Sequence, residues 1–112
     1  MAEKFEIKKT KNGQFMFNLK ASNGEIILTS EMYKIKGSCK KGIRSVKVNA
    51  LVPEHFKTLI AKNGEPYFVL RAGNNQVIGN SEMYSSTRSL ENGIESVKIN
   101  APGAAVVDLT KV

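Results

Sequence analysis

Four basic side chains in the first half of the chain recur at helical spacing and could bind an anion. They are Lys36, Lys40, Arg44 and Lys47. Intervals of three or four residues place such a set along one stripe of an α-helix. A cationic stripe suits the phosphates of a nucleic acid or the carboxylates of an acidic protein. Two other interpretations are open: the stripe pairs with Glu91 and Glu95 of a second helix, or it faces solvent.

A Ser-Glu-Met-Tyr segment occurs twice, at residues 30–33 and 81–84. Its carboxylates and phenols could form two related small-molecule pockets where a strand meets a helix. The candidate residues are Glu31, Tyr33, Glu82 and Tyr84. The alternative is a structural corner, in which Met and Tyr close the edge of the core and Glu satisfies nearby backbone N–H groups.

A third candidate surface is the sheet face opposite the helices, with Lys20, Tyr67 and Arg71. An aromatic ring among basic side chains can stack with single-stranded nucleic acid and neutralise its phosphates. One Tyr is a small platform, however, and an open antiparallel sheet exposes such residues without any ligand.

The remaining reactive side chains indicate no catalysis and no metal. Cys39 is the one cysteine and His55 the one histidine. Cys39 lies at an apolar helix position, where a thiol behaves as a small hydrophobe. His55 has no Cys or second His at ligand spacing. We therefore expect a protein without enzymatic activity, cofactor or metal.

The elements that position these candidates follow from the hydrophobic period. Residues 4–9 and 15–21 alternate apolar and polar side chains, which predicts strands. Asn12-Gly13 and Asn23-Gly24 predict the hairpin turns that follow each strand. Apolar residues at helical spacing then predict one helix in each half, along Cys39, Ile43, Val46 and Ala50 and along Leu90, Ile94, Val97 and Ala101. Ser85 or Ser86 is expected to cap the second helix.

The chain contains an internal repeat with an offset of 51 residues, so that residue 30, for example, matches residue 81. Lys11-Asn12-Gly13 returns as Lys62-Asn63-Gly64. Such a match indicates tandem duplication of a β-β-β-α-β unit. The strand type that contains Phe5 occurs a third time at the C-terminus. We therefore predict that this last strand, about 104–110, completes the first repeat.

The predicted fold is α+β, with a single mostly antiparallel sheet that carries two helices on one face. One domain, 1–112, would hold two repeats, at about 4–51 and 55–102. Gly42 and Gly93 recur inside the helices, where Gly costs about 1 kcal/mol relative to Ala. Either the helices meet at these glycines, which leaves the basic stripe in water, or the glycines approach the sheet.

This pattern resembles the YegP-like family, small uncharacterised proteins built from tandem β-β-β-α-β repeats. The residues that carry the resemblance are Asn74–Ser86 and Glu91–Lys98. The resemblance implies the fold and the strand exchange, but it brings no activity, cofactor or catalytic residue. The first helix departs from the pattern, because basic residues at 40, 41 and 44 replace Glu91, Asn92 and Glu95.

The charge of the chain is concentrated in one half. Of the net +7, residues 1–51 carry 11 Lys or Arg and 4 Glu, and residues 52–112 carry 6 of each sign. This imbalance suits a binding or accessory module whose partner is an acidic protein or a nucleic acid. We expect a cytoplasmic monomer rather than a strand-swapped dimer, with no membrane association.

Overall fold

Alternating apolar residues form seven strands, and two stretches of helical period form the helices between them. The structure is a computed structural model and describes residues 3–110. The elements are β1 (Lys4–Lys9), β2 (Phe15–Lys20), β3 (Ile26–Ser30), α1 (Lys36–Asn49), β4 (Phe56–Ile60), β5 (Pro66–Arg71), β6 (Val77–Asn80), α2 (Thr87–Asn100) and β7 (Ala105–Asp108). A short 3₁₀ turn, Pro53–His55, leads into β4.

The strands form one sheet in the order β4-β5-β6-β3-β2-β1-β7. Neighbouring strands are antiparallel except for β7, which lies parallel to β1 with Val106 opposite Phe5. The predicted mostly antiparallel sheet with two helices is therefore confirmed, and so is the return of the terminal strand to the first repeat. Neither helix within residues 3–110 is long and apolar enough to cross a bilayer.

The two halves meet at the pairing of β3 with β6. Thr29 lies opposite Asn80, which is its own counterpart in the repeat, and Ser30 lies opposite Gly79. Because a residue of β3 pairs with its own counterpart in β6, an approximate two-fold axis passes between these two strands and relates the two halves. Each half therefore contributes three consecutive strands on its side of the axis, and β7 lies outside this symmetry.

The core lies between the sheet and the helices. Phe17 and Leu19 of β2, and Phe68 and Leu70 of β5, have no exposed surface. The helices bury against them the apolar residues Cys39, Ile43, Val46, Leu90 and Val97. Both helices cover the same face of the sheet, because the buried residues of both helices belong to one core with Phe17, Leu19, Phe68 and Leu70.

The helix starts differ between the copies. Ser86 caps α2, since its hydroxyl oxygen accepts a hydrogen bond from the Ser89 backbone N–H at 3.1 Å, which confirms one of the two predicted caps. The residue before α1 is Ile35, which provides no side-chain cap. The helix begins at Lys36, so Lys34 lies before it.

Candidate functional site

A groove of about 630 Å³ runs between α1 and β7. Its walls contain the residues Lys40, Ile43, Arg44, Lys47, Val106, Val107 and Asp108, and we call it the basic groove. Three members of the predicted cationic stripe thus lie together on one side. The opposite side is the terminal strand, which arrives from the far end of the chain.

Lys36, the first member of the predicted stripe, is not available to a ligand. Its Nζ lies 2.9 Å from Asp108 Oδ2 and 5.8 Å from the centre of the Phe15 ring. Asp108 also accepts hydrogen bonds from the Thr110 hydroxyl at 2.6 Å and the Thr110 backbone N–H at 2.8 Å. The hydrogen bond from the Thr110 hydroxyl, followed by that from Lys36, holds the pKa of Asp108 well below its usual range. Lys36 therefore fastens β7 to α1.

The other three cations differ in what they contact. Lys47 Nζ lies 5.9 Å from the centre of the Phe5 ring, a distance typical of a cation–π contact. Lys40 and Arg44 are exposed. No carboxylate of residues 3–110 lies within ion-pair distance of either one. These two side chains are therefore the free cations of the basic groove.

The interpretation that the stripe pairs with Glu91 and Glu95 is wrong. Glu95 Oε1 lies 3.1 Å from Lys98 Nζ within its own helix. In the described part of the chain, no ion pair joins the two helices. The physical reason is that the stripe lies along β7, where Lys36 pairs with Asp108 and Lys40, Arg44 and Lys47 line the basic groove.

The two Ser-Glu-Met-Tyr corners have a structural role that explains the helix glycines. The Tyr33 ring stacks on Phe17 with centroids 6.4 Å apart, and Tyr84 stacks on Phe68 at 6.2 Å. A Cβ on Gly42 would overlap the Tyr33 hydroxyl and lie 2.9 Å from its Cζ, and Gly93 stands in the same relation to Tyr84. A Cβ on Gly42 would also lie 3.1 Å from Phe17 of β2, and one on Gly93 would lie 3.3 Å from Phe68 of β5. The prediction that the glycines approach the sheet is therefore confirmed, with a tyrosine ring over each of them, and the alternative that the helices meet at the glycines is wrong.

Serine, rather than the expected glutamate, satisfies the backbone at each corner. Ser30 Oγ accepts a hydrogen bond from the Phe17 N–H at 2.8 Å and donates to the Glu31 carbonyl at 2.7 Å. Ser81 repeats both contacts in the second half. Met32 is 61% exposed, so the methionines do not close the core, because the stacked tyrosines already fill that edge.

Beside each corner lies a shallow depression formed with the other half. Glu31 and Tyr33 share one of about 470 Å³ with Gln76–Ile78, and Glu82 and Tyr84 share one of about 440 Å³ with Gly24–Ile27. The two depressions are counterparts in the repeat. Burial raises the pKa of both tyrosines above the usual value, so their phenols stay protonated at neutral pH.

The sheet residues selected from the sequence do not form one surface. Lys20 Nζ lies 3.0 Å from Glu6 Oε1, and Lys4 Nζ lies 3.3 Å from Glu6 Oε2. The hydrogen bond from Lys20 is the main reason that the pKa of Glu6 is lowered. Tyr67 lines a separate depression with Thr29 and Asn80. Arg71 lies at the opposite end of β5, and its Nε is buried.

Cys39 and His55 lie apart and have local partners. Burial, with a smaller contribution from Asp108, raises the pKa of the Cys39 thiol to about 11, so this thiol is protonated at neutral pH. His55 Nδ1 lies 2.7 Å from Asn49 Oδ1. Within residues 3–110, no three His, Cys, Asp or Glu side chains come together as a metal site would require.

Sequence reasoning missed the residue that builds the groove. Asp108 is the only acidic residue of the C-terminal strand, and its partner Lys36 lies 72 positions earlier, from 108 to 36. The alignment of the terminal strand with β1 was the one signal that could have brought them together.

The fold and its internal repeat agree with comparisons against known proteins. Residues 10–55 and 61–108 each match the family described as "Domain of unknown function (DUF1508)". The chain belongs to this family. Two relatives, a UPF0339 protein of Acinetobacter baylyi and the UPF0339 protein YegP of Yersinia pestis, are each 54% identical to it, over 95% of this chain and 96% and 95% of theirs. The resemblance found in the sequence is thereby confirmed.

Members of the DUF1508 family also have solved structures. The solution NMR structure of yegP from E. coli, described as a protein of unknown function, is 48% identical with a TM-score of 0.93. It matches over 100% of this chain and 97% of its own. The NMR structure of a UPF0339 protein from Shewanella oneidensis is 47% identical with a TM-score of 0.90, over 97% and 92% of the two chains. Both share the fold, and the family's function is uncharacterised.

Proposed function

We propose that this protein is a non-catalytic binding module whose basic groove takes an acidic, partly apolar segment of another protein. The observation that carries this proposal is the pair of free cations, Lys40 and Arg44, beside an apolar floor. The exposed part of that floor is Val106 of β7, which is 47% exposed, because Ile43 of α1 is only 2% exposed. Cations beside exposed apolar surface favour a ligand that offers both carboxylates and apolar side chains.

An acidic polypeptide suits this groove better than a nucleic acid. Proteins that bind single strands stack bases on aromatic rings, and the walls of the basic groove contain no aromatic residue. The Phe5 ring that Lys47 contacts has no exposed surface on which a base could stack. The proposal places the protein in the cytoplasm, where the free thiol of Cys39 stays reduced.

The groove belongs to the first half alone. At the positions that correspond to Lys40 and Arg44, α2 carries Glu91 and Glu95. No strand of residues 3–110 lies outside β4 as β7 lies outside β1. The cleft that the terminal strand creates therefore lies in the half that carries the net charge of +7, and three of its basic residues, Lys40, Arg44 and Lys47, line it.

Fluorescence anisotropy tests the proposal with two labelled probes, a peptide of alternating Glu and Leu and an oligouridylate. The double variant Lys40→Glu/Arg44→Glu should bind the peptide at least about tenfold more weakly, a loss of about 1.4 kcal/mol. Lys34→Glu/Lys41→Glu is the matched control. It changes the net charge equally through exposed lysines that do not line the groove.

The control should bind the peptide nearly as tightly as the unchanged protein. Equal losses in the two double variants would contradict the proposal, because they would show attraction by net charge alone. Binding of the oligouridylate, with none of the peptide, would assign the groove to nucleic acid instead.

A further inference from the structure

The repeat leaves one strand position unfilled. The strand type of β1 occurs three times, as β1, β4 and β7. The approximate two-fold axis implies four places for it in the sheet, which are those of β1 and β4 and the place outside each of them. The place outside β1 is filled by β7 in parallel. In the described part of the chain, β4 pairs with β5 on one side and with no strand on the other. We call that side of β4 the open edge.

Apolar surface that β7 covers in the first half stays partly uncovered in the second. Phe5 is 0% and Ile43 is 2% exposed. Their counterparts, Phe56 and Ile94, are only partly buried. The same side chains are thus present at both edges, and what differs is the strand that packs over them.

The backbone of β4 points hydrogen-bonding groups at the open edge. Leu109 N–H of the terminal strand donates to the Ile7 carbonyl at 3.0 Å, and the counterpart of Ile7 is Thr58. Thr58 lies opposite Phe68, whose N–H and carbonyl are both engaged by Ser81 on the far side of β5. In an antiparallel pair, a residue opposite one that bonds away from it also bonds away. The N–H and carbonyl of Thr58 therefore face outward.

We propose that the open edge binds an extended segment of a partner protein as an additional parallel strand. Transposing the register of β7 places an apolar residue of that segment opposite Phe56, as Val106 lies opposite Phe5. It places the counterpart of Asp108 opposite Thr58. This addition of a strand to an exposed edge obtains affinity from main-chain hydrogen bonds and specificity from alternate side chains.

The charge of α2 decides the chemistry of the partner. In the first half, Asp108 of the docked strand faces a basic helix and pairs with Lys36. In the second half, the corresponding helix positions are Thr87, Glu91, Glu95 and Lys98. Glu95 pairs with Lys98, which leaves Glu91, within the described residues, as the carboxylate of this stripe without an ion pair. The partner segment therefore carries Lys or Arg where β7 carries Asp108.

A peptide derived from this chain provides the probe. It has the sequence of residues 102–110 with Asp108→Lys, and its control is the same peptide with Asp108 kept. Titration into ¹⁵N-labelled full-length protein should shift the amide signals of β4 and of the adjoining face of α2. The lysine peptide should bind about two- to fivefold more tightly than the control, the range of an exposed ion pair.

Two variants make the test specific. Thr58→Pro removes the outward N–H and leaves the β4–β5 ladder intact, since Pro is tolerated at an edge strand when its N–H faced solvent. It should abolish the shifts, whereas Thr58→Ala should keep them. Glu91→Lys/Glu95→Lys should reverse the preference between the two peptides. The amide spectrum of each variant verifies that it is folded.

Three results would overturn the proposal. Shifts confined to β1 and β7 would show that the peptide only replaces the protein's own terminal strand. Unchanged binding by folded Thr58→Pro would exclude pairing at the open edge. Concentration-dependent broadening of β4 signals without any peptide would assign the edge to a second copy of this chain.

Discussion

At the scale of single residues, the contact between tyrosine and glycine explains two features that the sequence shows only as repetition. Tyr33 and Tyr84 close the core because Gly42 and Gly93 leave room for their rings. The duplicated Ser-Glu-Met-Tyr segment and the duplicated helix glycine are therefore two sides of one packing arrangement. Sequence reasoning found both motifs and did not connect them, because nothing in the spacing of residues 33 and 42 specifies that a ring lies over a helix.

Replacing Gly42 by Ala should destabilise the protein although Ala favours helix formation. The added Cβ would overlap Tyr33, and overpacking costs about 1–3 kcal/mol against about 1 kcal/mol of helix propensity gained. Urea unfolding measures the difference. Gly37→Ala in the same helix is the matched control, because its Cβ meets nothing within 4 Å. An equal gain in stability for both variants would refute the packing explanation.

Asp108→Asn should lower the free energy of unfolding at neutral pH, and the difference should shrink as the pH falls below about 4. The folded pKa of Asp108 lies below its ordinary value of 3.8. The ionised carboxylate therefore stabilises the fold above about pH 4, and this contribution is lost as the pH falls through the folded pKa. Urea midpoints measured from pH 7 down to pH 2 test this.

A matched control for Asp108→Asn is Glu54→Gln, which changes an exposed carboxylate of the 3₁₀ turn. Its midpoints should follow those of the unchanged protein over the whole range. If Asp108→Asn also followed them, the tie between Lys36 and β7 would contribute nothing to stability.

At the scale of elements, local patterns were sufficient for most of the fold. Alternation along β1 and β2 and helical spacing in α1 and α2 predicted the elements, and the third occurrence of the strand type that contains Phe5 predicted the return of β7. The basic groove could be predicted only in part. The cationic stripe is local, and the sequence predicted it. The other wall of the groove and the ion pair that occupies Lys36 both depend on β7, because Asp108 lies 72 positions after Lys36, from 36 to 108.

The two helices also show why charge is a weaker guide than apolar spacing. Apolar positions must face the sheet, so their pattern specifies an orientation. Charged positions have several favourable environments, and the stripe of α1 was compatible with an acidic helix, a ligand or water. In the structure the stripe lies along β7, where Lys36 pairs with Asp108 and Lys40, Arg44 and Lys47 line the basic groove.

At the scale of the whole molecule, an approximately symmetric sheet carries two unlike edges. One edge is completed by the chain's own terminal strand and forms a cationic groove. The other edge, at β4, belongs to the half whose helix carries Glu91 and Glu95, and it remains open in the described part of the chain. Duplication thus produced one scaffold with two different surfaces, and both surfaces depend on β7 lying on β1.

The most direct measurement is the thermal unfolding of a chain that ends at Gly103. Removing β7 would uncover Phe5 and Ile7, each of which contributes up to about 1.5–3 kcal/mol when fully buried, and would free Lys36 from Asp108. The loss is large relative to the 5–15 kcal/mol typical of a domain. We expect a broad transition at a clearly lower temperature. A transition as sharp as that of the intact chain, at the same temperature, would show that the first half is complete without its returning strand.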